Sequence, residues 1–193
     1  MKRHLVRIQN KQKYDVKDTS YVLREARKII LDNLRLGNLR ISSNAIEFDI
    51  FTDEDQKIQE NLRPVFITMG KLLSIKSIFE ENMKKGEKET IMEGVKFFNE
   101  ERFWECHDAF EKMWKTKRNN ERHLLQGIIL TAAALVHYQK NEIEICLSML
   151  NRALLKLVWE KSEYYNIDIA NFKRNIERII LAKEVRIFKI KFN

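Results

Sequence analysis

The sequence predicts an α+β domain with a ferredoxin-like sandwich fold, followed by an all-α helical bundle. Up to about residue 82, short segments with the two-residue alternation of strands are mixed with segments of helical spacing. From residue 83 onwards, apolar residues recur every three or four positions, as they do on the buried side of a helix. The charged segment 80–88, which contains Gly86, separates the two patterns and is the predicted linker. We therefore assign residues 1–82 to the first domain and residues 83–193 to the second.

The first three predicted elements are a strand, a helix and a second strand. Residues 4–8 (His-Leu-Val-Arg-Ile) have the composition of a strand. The helix begins at the capping residues 18–20 and carries apolar residues at helical spacing as far as Leu34. Gly37 and Asn38 are expected to end it, because both tolerate the left-handed backbone conformation. Residues 39–41 then form the second strand.

A hairpin, a helix and a fourth strand complete this domain. The hairpin turns at residues 42–44 and continues into 45–51, where Ile, Phe and Ile alternate with Glu47 and Asp49. This period predicts a strand with one buried face and one face in water. The second helix opens at residues 52–55 and is expected to end or break at Pro64, and residues 72–79 form the last strand. Strand, helix, strand, strand, helix, strand is the order of the ferredoxin-like sandwich.

The second domain is predicted to contain four or five helices. They cover about residues 89–99, 101–115 and 120–139, a fourth starts with a capping-box pattern at residues 141–144, and a last one begins near Asp168. The tail, residues 185–192, has a partly strand-like pattern, and one interpretation adds it to the N-terminal sheet.

The composition bounds the class of protein. Charged residues make up 33% of the chain, with one proline and five glycines, as in proteins of thermophiles. The net charge of +8 favours an acidic partner, which could be nucleic acid, anionic lipid or an acidic protein. The basic residues are spread along the chain, however, which is more typical of a solvated surface. Their densest run is the tail, with Lys183, Arg186, Lys189 and Lys191.

The sequence predicts a cytoplasmic protein without a membrane span. The N-terminus has no apolar run of signal-peptide length, and no segment approaches about 18 apolar residues. Cys106 and Cys146 are too few for a disulfide framework or a four-sulfur zinc site, and we expect buried free thiols. A disulfide between them is the alternative if the source is a hyperthermophile. The sequence lacks a nucleotide-binding glycine loop, a serine-nucleophile elbow and a paired-cysteine zinc motif.

One predicted helix places polar groups on an aromatic face. Phe103, His107, Phe110, Glu111 and Trp114 share a face at spacings of three and four, and we expect that face to be buried. Burying an unpaired charge costs several kcal/mol. The imidazole and the carboxylate must therefore pair with each other, with facing polar groups or with a metal ion.

The next helix supplies the facing groups. It is apolar around nearly its whole circumference, as in the middle of a bundle, except for Arg122, Gln126 and His137 at roughly helical spacing. If the two helices pack antiparallel, the two polar stripes face each other.

Two interpretations of this cluster compete. In the functional one, His107 and Glu111, with His137 or Asp108, bind a divalent metal whose water acts as nucleophile while a carboxylate acts as base. In the structural one, Glu111 accepts hydrogen bonds from His107 and Arg122, and the cluster holds the helices in register. The structural interpretation leads, because a single His-x-x-x-Glu on a helix is a common pattern. The large Trp104, Trp114 and Trp159 are interpreted as packing anchors.

Residues 97–157 contain an ordered set of aromatic, polar and small residues: Phe98-Asn99, Phe103-Trp104-Glu105, His107-Asp108, Glu111, Trp114, Arg122, Gln126-Gly127, Ala132 to Ala134, His137 and Asn141. This set resembles that of a family known as domain of unknown function 309, which often carries the label metal-dependent hydrolase. The resemblance implies a compact all-helical domain with His107, Glu111, Arg122 and Gln126 gathered inside as the catalytic candidates. Asp108, Glu101 and Lys140 depart from the family pattern, which has a glutamate at the first position and commonly glycine at the other two.

These observations favour a non-catalytic binding or scaffold module that works with a protein partner or as a homo-oligomer. A metal-dependent hydrolase is the first alternative. The second is a nucleic-acid-binding protein that uses the basic N-terminal sheet and the tail. Sheets that bind RNA display aromatic residues on the open face. Phe48 and Phe51 fall on opposite faces by parity, which weakens this alternative.

Overall fold

A computed structural model describes residues 2–31, 34–53, 57–77, 86–157 and 162–193. The chain forms two compact units, Met1–Asn82 with Gln139–Asn141, and Met83–Tyr138 with Glu142–Asn193. The predicted boundary between residues 82 and 83, most of the predicted linker and Trp159 lie outside the described residues. The first unit has an antiparallel sheet with helices and the second is mainly helical, which confirms the predicted α+β domain followed by a helical region.

The N-terminal unit is built on one four-stranded sheet. Its elements are β1 (Lys2–Gln9), α1 (Thr19–Ile29), β2 (Arg35–Ile41), β3 (Ala45–Thr52), α2 (Ile58–Asn61), α3 (Arg63–Met69) and β4 (Leu72–Ser77). The strand order is β2-β3-β1-β4, and all neighbouring strands are antiparallel. The predicted succession of strands and helices is therefore confirmed, with the second helix in two pieces. Residues 54–56 and 78–79, which the prediction included in the second helix and last strand, lie outside the described residues.

One face of this sheet packs against the helices. Val6 of β1 stands opposite Phe48 of β3, and Ile8 stands opposite Ile46, so that alternate residues of both strands point to the same side. These side chains are buried in one core cluster with residues of α1, α2 and α3. The apolar half of the predicted strand alternation is correct.

The acidic residues of β3 are not exposed to water, contrary to the prediction. Glu47 is 2% exposed and Asp49 is fully buried. Arg7 Nε lies 3.0 Å from a Glu47 oxygen, and Arg3 and Arg40 reach Asp49 at 2.8 and 3.2 Å. The carboxylates are buried because arginines on neighbouring strands neutralise them, and no single strand's pattern shows those partners. Removing one member of such a buried pair typically costs about 3–5 kcal/mol.

Gly37 and Asn38 do not end the first helix, although the sequence predicted that they would. Helix α1 stops at Ile29, and both residues lie within β2. The pairing of β2 with β3 shifts register between Gly37 and Arg40, and Asn38 has a positive φ of 45°. Its side chain donates to Asp49 at 2.7 Å. The residues that tolerate left-handed backbone therefore serve a strand irregularity here, not a helix end.

Pro64 begins a helix, whereas the sequence predicted that it would end or break one. It lies in the first turn of α3, where its missing N–H group would have no helical partner anyway. The helix before it, α2, is only four residues long and has ended by then.

The second unit contains five longer helices among the residues that the structure describes. They are α4 (Glu87–Asn99), α5 (Phe103–Trp114), α6 (Asn119–Gln139), α7 (Ile143–Lys156) and α8 (Ile169–Ala182), with a short hairpin of β5 (Glu163–Tyr164) and β6 (Ile167–Asp168) before α8. The five helices agree with the predicted spans within two or three residues. None of the described helices is both long and apolar enough to cross a membrane.

Close helix packing in this unit relies on small residues. A Cβ atom at Gly94 of α4 would lie 2.6 Å from the buried ring of Phe110 of α5, so α4 and α5 touch where Gly94 has no side chain.

The prediction that Asn141 caps α7 is wrong. Helix α7 begins after Glu142, and no side-chain cap hydrogen bond forms. Asn141 has a left-handed φ of 63°.

The C-terminal tail pairs with its own unit and is not part of the N-terminal sheet. Phe192 forms an isolated bridge with Ile167 of β6. The side chain of Asn99 accepts from the N–H group of Ile190 at 2.7 Å and donates to its carbonyl oxygen at 3.0 Å. The strand-like pattern of residues 185–192 thus corresponds to a single bridge at Phe192, and its partner lies in the helical unit.

Candidate functional site

Helix α5 carries the predicted site residues beside the core and not in it. Its buried residues are Phe103, Glu105, Cys106, Ala109, Phe110 and Met113. Trp104, His107, Glu111 and Trp114 form the adjacent stripe, and all four are half-buried. The single buried aromatic face that the sequence predicted is thus divided in two, because helical spacing alone does not show where the core ends.

His107 lies flat on Trp104. The two rings are parallel within 7°, with centroids 5.7 Å apart. Burial lowers the pKa of His107, and the nearby carboxylates of Glu111 and Asp108 oppose this by raising it. The imidazole is therefore neutral at pH 7, with one nitrogen that donates and one that accepts.

Asp108 belongs to the solvent side of the same helix. It forms an ion pair of 2.9 Å with Lys112 one turn further on, and about half of each side chain is exposed. Such exposed pairs contribute little to stability. The charge of Asp108 acts to raise the pKa of His107, but the ion-pair partner of Asp108 is Lys112.

Arg122 of α6 contacts the end of the stripe. Its guanidinium carbon lies 4.0 Å from the centre of the Trp114 ring, a cation–π contact that joins α5 to α6. Gln126 follows one turn later on α6 and is also half-buried. Arg122 therefore has an aromatic partner, not the Glu111 carboxylate that the structural interpretation gave it.

His137, the fourth predicted metal ligand, is engaged at the far end of α6. Its Nδ1 atom shares a short hydrogen bond with the carboxylate of Glu142. The N–H group of Glu142 also donates to the carbonyl oxygen of His137 at 2.9 Å. These two bonds close the turn that leads from α6 to α7.

The structure does not bring the predicted ligands together as a metal site. Among the described residues, no three His, Cys, Asp or Glu side chains are grouped so that they could hold a metal ion. His107 and Glu111 are neighbours, whereas Asp108 and His137 have other partners. The proposed set His107, Glu111, Asp108 and His137 stays a prediction.

The cysteines are not placed for nucleophilic chemistry. Cys106 and Cys146 are free and buried, as predicted. Burial raises the pKa of both thiols, that of Cys146 to about 12, so both are protonated at neutral pH.

A polar cluster that the sequence did not reveal lies elsewhere in this unit. The ammonium group of Lys117 lies 2.7 Å from Glu87 and 3.1 Å from Glu121. The hydroxyl groups of Tyr164 and Tyr165 donate to these same two carboxylates. Since these residues come from three separate segments, no local pattern could indicate the cluster, which joins the β5–β6 hairpin to α4 and α6.

Comparison with known proteins gives one match. The family model described as Domain of unknown function (DUF309) matches residues 91–149, which confirms the resemblance in the C-terminal half. No curated protein matches the chain.

Proposed function

We propose that this protein is a non-catalytic binding or scaffold module in which the polar residues of the helical unit hold its elements in register. One observation supports the proposal. Most of the polar residues that carry the DUF309 resemblance form a hydrogen bond, an ion pair or a ring contact with another described residue of the chain. A catalytic residue would instead direct its reactive group towards a substrate.

The partners are specific. Glu105 is only 7% exposed and receives two hydrogen bonds from the guanidinium group of Arg102, which packs 4.3 Å from the ring of Phe97. This arrangement fixes the start of α5. Asn99 hydrogen-bonds to the backbone of Ile190 in the tail. Arg122 of α6 contacts the ring of Trp114 of α5, and His137 hydrogen-bonds to Glu142 across the turn between α6 and α7.

The proposal is tested by replacing His107 and measuring both stability and metal content. We expect His107→Ala to lower the free energy of unfolding by about 1–3 kcal/mol, because it removes a half-buried ring that is stacked on Trp104. The purified protein should contain no stoichiometric metal by elemental analysis, and a chelator should leave its melting temperature unchanged. Asp108→Ala serves as the control, with an expected change within about 0.5 kcal/mol. One bound metal per chain that disappears in His107→Gln would contradict the proposal.

A metal-dependent hydrolase is the second candidate, and the neutral state of His107 favours it. A metal ligand must be an unprotonated imidazole, and burial lowers the pKa of His107 in the required direction. In this case His107 and Glu111 would hold the ion, which would supply an activated water, and Arg122 and Gln126 would orient the substrate.

The lowered pKa of His107 predicts a pH dependence of stability. A histidine whose pKa is lower in the folded than in the unfolded state binds fewer protons when folded between these two values. Stability is therefore complete above the unfolded value of about 6.5 and is lost as the pH falls through this value towards the folded one. Wild type should lose more unfolding free energy than His107→Gln between about pH 7.5 and 5.5. Equal losses in chemical denaturation would show that His107 does not contribute.

The remaining assignments follow from the fold and the thiols. We assign the N-terminal unit to the ferredoxin-like class because its sheet order and helix placement are those of that sandwich. Two free cysteines fit a reducing compartment such as the cytoplasm. The sheet is a poor surface for nucleic acid, because Arg3, Arg7 and Arg40 already hold carboxylates.

A further inference from the structure

The solvent face of α1 is basic and carries an exposed aromatic ring. The exposed residues within α1 recur at spacings of three and four and include no acid: Ser20, Tyr21, Arg24, Arg27 and Lys28. Tyr21 keeps 48% of its surface exposed, and the guanidinium carbon of Arg24 lies 5.6 Å from its ring centre. This face presents cations around a flat ring.

A second tyrosine is held next to the first. The ring centres of Tyr14 and Tyr21 lie 6.2 Å apart. Asn10 fixes the Tyr14 backbone, because its buried side chain accepts from the Tyr14 N–H group and donates to the Tyr14 carbonyl oxygen, both at 2.9 Å. It also donates to the carbonyl oxygen of Ser42 at 3.0 Å, which ties this loop to the β2–β3 turn. The backbone from which the Tyr14 ring projects is thus fixed by Asn10.

Two clefts adjoin the tyrosine pair. One cleft, of about 470 Å³, is lined by Gln9, Asn10, Lys11, Lys13, Tyr14, Asp15, Ser43 and Asn44. The other, of about 480 Å³, is lined by Ser20, Leu23, Arg24, Arg27 and Lys28 of α1. Because Tyr14 lines the first and Tyr21 lies on the helix that forms the second, the clefts and rings form one surface, which we call the α1 surface.

The charge of the α1 surface is positive. Residues 11–28 contain six Lys or Arg and three Asp or Glu, a difference of +3. Asp15 and Asp18 accept from backbone N–H groups at the entry to α1. Glu25 lies 3.5 Å from Arg24 and 2.7 Å from Lys28, yet these two cations keep 67% and 60% of their side chains exposed. The carboxylates offset only part of the positive charge.

We propose that the α1 surface binds single-stranded nucleic acid, with bases stacked on Tyr14 and Tyr21 and the phosphates contacted by the surrounding lysines and arginines. Cationic grooves with exposed aromatic rings recognise single strands, because unpaired bases offer a free face for stacking. An anionic membrane would be matched by exposed aliphatic side chains on this face, and an acidic protein has no particular need for a ring pair. The inference does not depend on the role of the His107 cluster, which lies in the other unit.

The experiment measures binding of the full chain to a fluorescent single-stranded oligonucleotide of about 12 nucleotides, within the range of sites known for single-strand binders. We expect saturable binding by fluorescence anisotropy at low salt. If about three phosphates are neutralised, affinity should fall roughly 20-fold between about 50 and 200 mM salt.

Four variants separate stacking from charge. Tyr21→Ala should weaken binding about fivefold or more with the salt dependence unchanged, and Tyr21→Phe should retain the affinity. Arg24→Ala combined with Arg27→Ala should weaken binding and also flatten the salt dependence. Arg174→Ala combined with Arg178→Ala is the matched control, since it removes two exposed arginines from α8. It should leave binding unchanged, and circular dichroism verifies the fold of each variant.

Several results would overturn the proposal. The first is absence of oligonucleotide binding at low salt, with or without binding to vesicles that contain anionic lipid. A control double variant that weakens binding as much as the α1 variant would indicate diffuse charge attraction. Full affinity in Tyr21→Ala, or competition by inorganic polyphosphate as strong as that by unlabelled oligonucleotide, would remove the stacking component.

Discussion

Replacement of Gly70 by alanine is expected to lower the stability of the N-terminal unit by about 3 kcal/mol or more. Gly70 follows α3 with φ 155° and ψ 156°, a backbone conformation that side chains rarely adopt. An added Cβ atom would lie 2.0 Å from the carbonyl oxygen of Gln9 at the end of β1. That oxygen cannot move aside easily, because the N–H group of Gln9 donates to the carbonyl oxygen of Lys71 at 2.8 Å.

Gly37→Ala is the matched control in the same sheet. Its added Cβ atom would lie 3.3 Å from the half-buried ring of Phe51, which can shift by a few tenths of an ångström. We expect a change below about 1 kcal/mol, typical of a mild substitution. Chemical denaturation of both variants, followed by circular dichroism, gives the comparison. Equal stability of Gly70→Ala and wild type would mean that the junction of α3 and β4 tolerates a side chain.

Phe98→Ala is expected to be the most damaging substitution in the helical unit, at about 3–5 kcal/mol. Phe98 is fully buried at the end of α4, and its ring centre lies 5.2 Å from that of Phe103, 5.8 Å from Phe172 and 5.3 Å from Phe188. Alanine would leave a cavity among three aromatic rings from α5, α8 and the tail. Since one of the lost contacts is with Phe188 of the tail, the substitution should loosen the tail as well as the helices.

Leu181→Ala provides the contrast, because Leu181 is 84% exposed and its removal should change stability by less than about 0.5 kcal/mol. Unfolding should be followed by tryptophan fluorescence, since Trp104 and Trp114 belong to the helical unit and the sequence of the N-terminal unit contains no tryptophan. Hydrogen exchange should show faster exchange at Ile190 in Phe98→Ala. A loss in Phe98→Ala no greater than in Leu181→Ala would show that the aromatic cluster is not a core.

Local sequence patterns predicted where the helices and strands lie, but they did not predict where these elements end. Local composition and periods of two and of three to four residues located the five longer helices and most of the main sheet, but only residues 39–41 of β2. Signals that depend on one or two residues failed more often. Gly37 and Asn38 looked like a helix end and lie in a strand, and Pro64 looked like a stop and lies in a first turn. A residue that permits a conformation does not specify which element uses it.

The sequence placed His107 and Glu111 on one helix, but it did not indicate the contacts of the other candidate residues. His107 and Glu111 are neighbours, because positions four residues apart on a helix are always close. Arg122 and His137 were expected to face them. They contact Trp114 and Glu142 instead, because side-chain partners depend on the rotation and tilt of whole helices.

The order of the periodic segments, the change from mixed to helical structure and the placement of His107 beside Glu111 on one helix could all be derived from the chain alone, because each depends on residues a few positions apart. Which groups neutralise one another depended on the folded molecule. The arginines that bury Glu47 and Asp49, the clamp between Asn99 and Ile190 and the ring pair of Tyr14 and Tyr21 all join separate elements. Electrostatic and packing contacts form wherever the fold brings two surfaces together. The separation of two residues along the chain does not determine how far apart they lie in the folded protein.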